Sequence, residues 1–155
     1  MKGLSLLFNL AVLEVGMGQA VLESIKYSAV CQDCGARLEC CGVQALVGGS
    51  LRWDVEVVCS ACGFAVAVCD GVLPADLRDQ LLSEHGAARL RVTSPQGMSI
   101  AIMRVLRAEL GLGLTEAKAE LRRVLAGEFS GTLPEMELLA RSLRVAGVSA
   151  VATRP

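Results

Sequence analysis

Residues 31–35 read Cys-Gln-Asp-Cys-Gly and residues 59–63 read Cys-Ser-Ala-Cys-Gly. In a CxxCG run the chain bends tightly enough for both thiolates to face one ion. The glycine lets backbone amides turn toward sulfur and offset its negative charge. Two such turns make a four-sulfur cage from Cys31, Cys34, Cys59 and Cys62. Zn2+ is the expected ion, because four thiolates in a tetrahedron suit it and it needs no redox poise. A closed shell leaves no position for water, which predicts a structural site and not a catalytic one. The chain has seven cysteines, and an odd count with two CxxC pairs is a poor disulfide framework, so a reducing, cytoplasmic setting is expected. Cys40, Cys41 and Cys69 are read as inert thiols, with Cys40-Cys41-Gly42 as an alternative ligand source.

Around the cysteines the pattern is that of strands. Tyr27–Val30, Val43–Val47, Leu51–Val58 and Phe64–Val68 are apolar or alternating, and residues 53–57, Trp-Asp-Val-Glu-Val, alternate strictly. Gly48-Gly49 can supply the positive φ angles of a tight reversal. This half resembles a four-cysteine zinc ribbon, although the 24 residues from Gly35 to Val58 exceed the usual spacing of about 15–20. After Asp70-Gly71 a helical stretch opens at Pro74, carries Leu77, Leu81 and Leu82, and stops at Gly86.

From Arg89 the order reads strand, helix, helix, strand, helix, strand. Arg89–Thr93 alternates, and Ser99 is read as the N-cap of a helix with Ile100, Met103, Leu106 and Leu110 on one face. Thr115 is read as the cap of a second helix with Ala117, Leu121, Val124 and Leu125. Phe129–Leu133 is a short strand. Pro134 opens a third helix with Met136, Leu139, Leu143 and Val145, and Val148–Thr153 closes the chain as a strand. The expected class is α+β, with an N-terminal segment (1–26), a zinc-ribbon-like antiparallel module (27–71), a linker helix (72–87) and a β-α-α-β-α-β domain (88–155).

Residues 98–121, MSIAIMRVLRAELGLGLTEAKAEL, and above all Gly111–Lys118 preceded by Arg104 and Arg107, resemble the C-terminal domain of the bacterial ribosomal stalk protein. The likeness runs from about residue 88 to 153. It implies a stalk-type fold whose first two helices dock translational GTPase factors, at the positions of Ile100, Ala101, Met103, Arg104, Arg107, Gly113, Leu114 and Lys118. Ser99 and Thr115 stand where that family commonly has lysine.

Composition narrows the field. Hydrophobic residues make up 53% of 155 residues, yet only five are aromatic, so the core is aliphatic. A net charge of −1 with twelve arginines and three lysines neither steers nucleic acid nor repels it. Residues 1–16 are too short and too polar to span a bilayer, and read as a packing segment or an early start ahead of Met17 rather than an export signal. His85, in Ser83-Glu-His-Gly86, is the only histidine and no nucleophile pairs with it convincingly, and no phosphate loop or paired acidic motif appears. Asp54 and Glu56 read as a solvated strand face. The expectation is a non-enzymatic, zinc-binding adaptor that docks a protein partner, either translation-factor-like or toxin-neutralising. Zinc-ribbon nucleic-acid binding, through Arg37, Arg52 and Trp53, and thiol-redox chemistry are the alternatives.

Overall fold

A computed structural model describes residues 19–155; the readings of residues 1–16 lie outside them. Four strands form an antiparallel meander: β1 (Val21–Val30), β2 (Arg37–Val47), β3 (Ser50–Val58) and β4 (Ala65–Gly71), in the order β1-β2-β3-β4. The β2–β3 hairpin closes on Gly48 and Gly49 at φ 56° and 80°, the two positive angles a primed turn demands. β1 starts at Val21, six residues before Tyr27, and β2 begins at Arg37, ahead of Val43. The start of β1 escapes a periodicity reading because Glu23 is buried where the pattern calls for an apolar side chain, and the start of β2 because its inward positions are Leu38, Cys40 and Gly42 within a cysteine run.

Helix α1 (Ala75–His85) follows and does more than bridge the halves. Its Leu81 is fully buried with Ile25 and Trp53, flanked by Leu77 and Leu73. Gln80 Nε2 donates to the Lys26 carbonyl at 3.0 Å and His85 Nε2 to that of Ser24 at 2.8 Å, fixing α1 along β1. On the same sheet face the Trp53 indole lies over Gly42, where an added Cβ would sit 2.2 Å from the ring.

The remaining elements are β5 (Ala88–Val92), α2 (Ser99–Leu110), α3 (Leu114–Ala126), β6 (Ser130–Gly131), α4 (Leu133–Val145) and β7 (Ala150–Thr153), with a second antiparallel sheet ordered β6-β5-β7. The chain is thus mixed α+β. Its larger core joins Leu90, Ile102, Leu106, Val124, Met136, Leu139 and Leu143. Three helix starts differ from the sequence reading. Met98 and Gly113, not Ser99 and Thr115, are the N-caps of α2 and α3, and neither start has a side-chain cap. Thr132 caps α4 in a full capping box with Glu135, while Pro134 sits in the first turn. The face of α2 also differs: Ile102, Val105 and Leu106 are buried, whereas Ile100 is 75% exposed and Leu110 is exposed. Both sets keep helical spacing, and only the sheet beneath selects between them.

Helix α4 lies between the two sheets. Its apolar face enters the larger core, and its N-terminal turn faces the first sheet through polar groups. Arg78 holds Glu135 by two hydrogen bonds of 2.7 Å, Gln44 accepts from the Thr132 hydroxyl, and Gln44 Nε2 donates to Glu135 at 3.5 Å. The buried Glu23 carboxylate meets Arg154 from the C-terminus. Burial raises the Glu135 pKa, but Arg78, the Thr132 N–H and Gln44 together outweigh it and hold the carboxyl below its ordinary value.

Two predictions follow from this packing. Gly42→Ala drives a methyl into a rigid, buried indole and is expected to cost about 2 kcal/mol or more in denaturant unfolding. Because the folded-state pKa of Glu135 is depressed, its contribution is full above the ordinary carboxylate value of about 4.3 and is lost as pH falls through the lower folded value. Glu135→Gln is therefore expected to unfold about 2–3 kcal/mol more easily at neutral pH, and the gap to wild type should close on acidification when both are titrated in parallel.

Candidate metal centre and partner face

The two CxxCG turns are near copies of each other. In the first, the Cys31 N–H donates to the Ala36 carbonyl at 2.8 Å and the Gly35 N–H to that of Cys31 at 2.9 Å. In the second, Cys59 donates to Phe64 at 2.7 Å and Gly63 to Cys59 at 2.9 Å. Gly35 and Gly63 take φ of 72° and 77°, a region where side chains are strained. One turn joins β1 to β2 and the other β3 to β4, so the meander carries both to the same end of the sheet.

All four sulfurs lie within 4.8 Å of one another. Cys31 Sγ is 3.8 Å from Cys62 Sγ and Cys34 Sγ is 3.6 Å from Cys59 Sγ. A tetrahedron with metal–sulfur bonds of about 2.3 Å has edges of about 3.8 Å, close to these two distances, so the cluster has the dimensions of a site for a zinc-sized ion, and all four cysteines are free of disulfides. Cys31 and Cys59 are buried, and Cys34 and Cys62 are exposed. Leu38, Cys40, Tyr27, Ala36 and Val57 pack around the buried pair.

The thiols differ in acidity before any ion arrives. The Cys62 N–H, followed by that of Ala61, donates to Cys59 and against the effect of burial lowers its pKa to about 7. At Cys62 the Phe64 N–H also favours the thiolate, but the hydrogen-bonded Cys59 sulfur, burial and the remaining cage sulfurs prevail and push it to about 12. Gathering four thiolates is unfavourable without a cation; a divalent ion held by Cys31, Cys34, Cys59 and Cys62 would supply the positive charge and tie the two turns together.

The other cysteines stand outside the cage. Cys40 is buried beside it, with its thiol pushed up by burial. Cys41 is opposite Lys26 and Glu56 across the strands, a cross-strand proximity invisible along the chain, and Cys69 is exposed on β4. Asp54 accepts the Asp70 N–H at 2.9 Å, and Arg52 bridges Asp54 and Asp70.

At the second sheet's helices, a cleft of about 500 Å³ is lined by Ile100, Met103, Arg104, Arg107, Ala108, Leu112 and Leu114. Arg107 Nε donates to the Leu112 carbonyl at 3.4 Å, which ties the α2–α3 turn to α2. Of the residues singled out in the sequence, Ile100, Met103, Arg104, Arg107 and Leu114 line this cleft. Ala101 is half-buried behind it, and Gly113 and Lys118 are exposed on α3 and its cap. Ala108 and Leu112 belong to the cleft too; their place depends on how the turn folds back and had no signal in the periodicity.

No protein-family model, curated protein or solved structure matches the chain. No helix among the described residues is long and apolar enough to cross a membrane.

Metal analysis on protein purified without chelator is expected to give one zinc per chain, and Co2+ substitution the visible spectrum of a tetrathiolate site. Cys59→Ser should lose the ion and with it the cooperative unfolding of the first sheet, since structural zinc contributes about 10–16 kcal/mol in small peptides.

Proposed function

We propose that this chain is a non-enzymatic, zinc-stabilised adaptor of a reducing, cytoplasmic setting, which docks an acidic protein segment in the cleft between α2 and α3. The cleft itself carries the reading: apolar Ile100, Met103 and Leu114 form its lining beside the exposed cations Arg104 and Arg107. An apolar centre with a charged rim is the anatomy of a protein-docking patch, and a cationic rim selects an acidic partner. The order β5-α2-α3-β6-α4-β7 supports reading residues 88–155 as a stalk-type domain, which makes a translation-factor-like partner the first choice and an acidic toxin the second. The four-sulfur shell is a scaffold in this reading. It holds the first sheet, on which α4 and hence the second sheet rest.

The alternatives have less support. Trp53 is buried and Arg52 is engaged by two aspartates, so of the three residues considered for nucleic acid only Arg37 is free to meet a phosphate. A redox role would require the cage thiols to be available as pairs, whereas a bound ion occupies all four.

Purified translational GTPases titrated against isotope-labelled, zinc-loaded protein provide the test. Shifts confined to α2 and α3, salt-sensitive binding, and at least tenfold weakening by Arg104→Glu are expected. Binding that Arg104→Glu leaves unchanged, or shifts mapping to the first sheet, would defeat the docking assignment while leaving the metal site standing.

A further inference from the structure

The first sheet has two edges, and they are treated differently. On β1 the outward carbonyls of Ser24 and Lys26 are taken by His85 and Gln80 of α1, and the Gln19 carbonyl just before the strand accepts from Arg141. Side chains of α1 and α4 thus occupy that edge from Gln19 to Lys26. β4 is hydrogen-bonded to β3 on one side and, among the described residues, to no strand on the other. All of its residues are exposed. The helical layer packs on β1, β2 and β3, which leaves Val66 at 41% and Val68 at 51% exposure.

Proteins usually protect such an edge with a lysine, a proline, a bulge or a cover. Ala65–Cys69 reads Ala-Val-Ala-Val-Cys, without charge or proline. The one irregularity lies at its far end, between Val68 and Gly71, where the Asp70 N–H is already held by Asp54. The strand begins directly after the second cysteine turn, so the cage fixes its position.

We infer that β4 is a pairing edge for β4 of a second copy of this chain, joining two four-stranded sheets into one antiparallel eight-stranded sheet. An uncharged strand meets its own copy without like-charge repulsion, which a charged edge could not do. Antiparallel pairing about a two-fold axis near Ala67 places Val66 of one copy opposite Val68 of the other, and such β-branched cross-strand pairs are favourable. A foreign strand lacks this built-in match of register. The pairing is independent of the α2–α3 cleft and of what docks there.

Sedimentation and hydrogen exchange on the zinc-loaded full chain decide the matter. Wild type is expected at twice the 16.3 kDa chain mass, with Ala65–Cys69 amides exchanging slowly and more slowly as concentration rises. Val68→Lys, at an exposed position, should retain its zinc and circular dichroism but run as a monomer with fast exchange there. A monomeric wild type overturns the inference, and its β4 amides then discriminate: fast exchange means an open edge, slow exchange a covering segment of the same chain. A dimer indifferent to Val68→Lys places the interface elsewhere and overturns it equally.

Discussion

Four sulfurs converging on one point set the geometry of the first sheet. Each cysteine turn is a sharp reversal that is only locally stable, held by two backbone hydrogen bonds and a left-handed glycine. The β1–β2 and β3–β4 turns bring their four sulfurs into one cluster, and an ion held there would fix the sheet. That links strands at opposite edges of the meander at one end, while the primed turn at Gly48-Gly49 closes β2 on β3 at the other. A sheet with one tryptophan and one tyrosine in place of a large aromatic core needs such a link, because its apolar clusters are small: Ile25, Trp53 and Leu81 in one, Leu38 and the cysteines in another.

The second constraint is the shared helix. α4 contributes Met136, Leu139, Ala140 and Leu143 to the larger core, and presents Thr132 and Glu135 at its N-terminal turn to Gln44 and Arg78. Glu135 therefore serves three purposes at once: it completes the capping box, anchors α1 through Arg78 and receives Gln44. The disposition of the α2–α3 cleft follows indirectly, since α2 and α3 pack on the same core that α4 fills.

Local patterns were the legible part of the sequence. The paired CxxCG runs, the Gly48-Gly49 turn, the strictly alternating residues 53–57 and the stop glycine at 86 each depend on a few neighbouring residues, and each has its counterpart in the structure. What escaped depended on partners far along the chain. Glu23 is buried where Arg154 meets it, so the start of β1 reads as a polar segment, and the inward place of Gln44 depends on Thr132 far along the chain. Ile100 and Ile102 are equally apolar, and only the packing of α2 on the second sheet decides that Ile102 goes in and Ile100 stays out. Gly42 read as part of a cysteine cluster, whereas its role is to admit the Trp53 ring from the neighbouring strand. The Thr132–Glu135 box was visible as a Thr-x-x-Glu spacing but was overshadowed by Pro134, a weaker marker of the same helix start.

The seam between the sheets is polar where an apolar one would bury area at lower desolvation cost. The difference lies in directionality. Apolar surfaces tolerate sliding by a fraction of a residue, whereas Gln44 uses its carbonyl for Thr132 and its amide for Glu135, and the Arg78 fork meets both oxygens of one carboxylate. These groups are satisfied together in one relative placement of α4 and the first sheet, and a shift would strand a buried amide and a half-buried carboxylate at once. Specificity of this kind matters in a molecule whose two sheets each have a modest core. The paired cysteine turns set the shape of one end of the first sheet, the polar seam sets where the other sheet sits upon it, and a surface built across α2 and α3 rests on both.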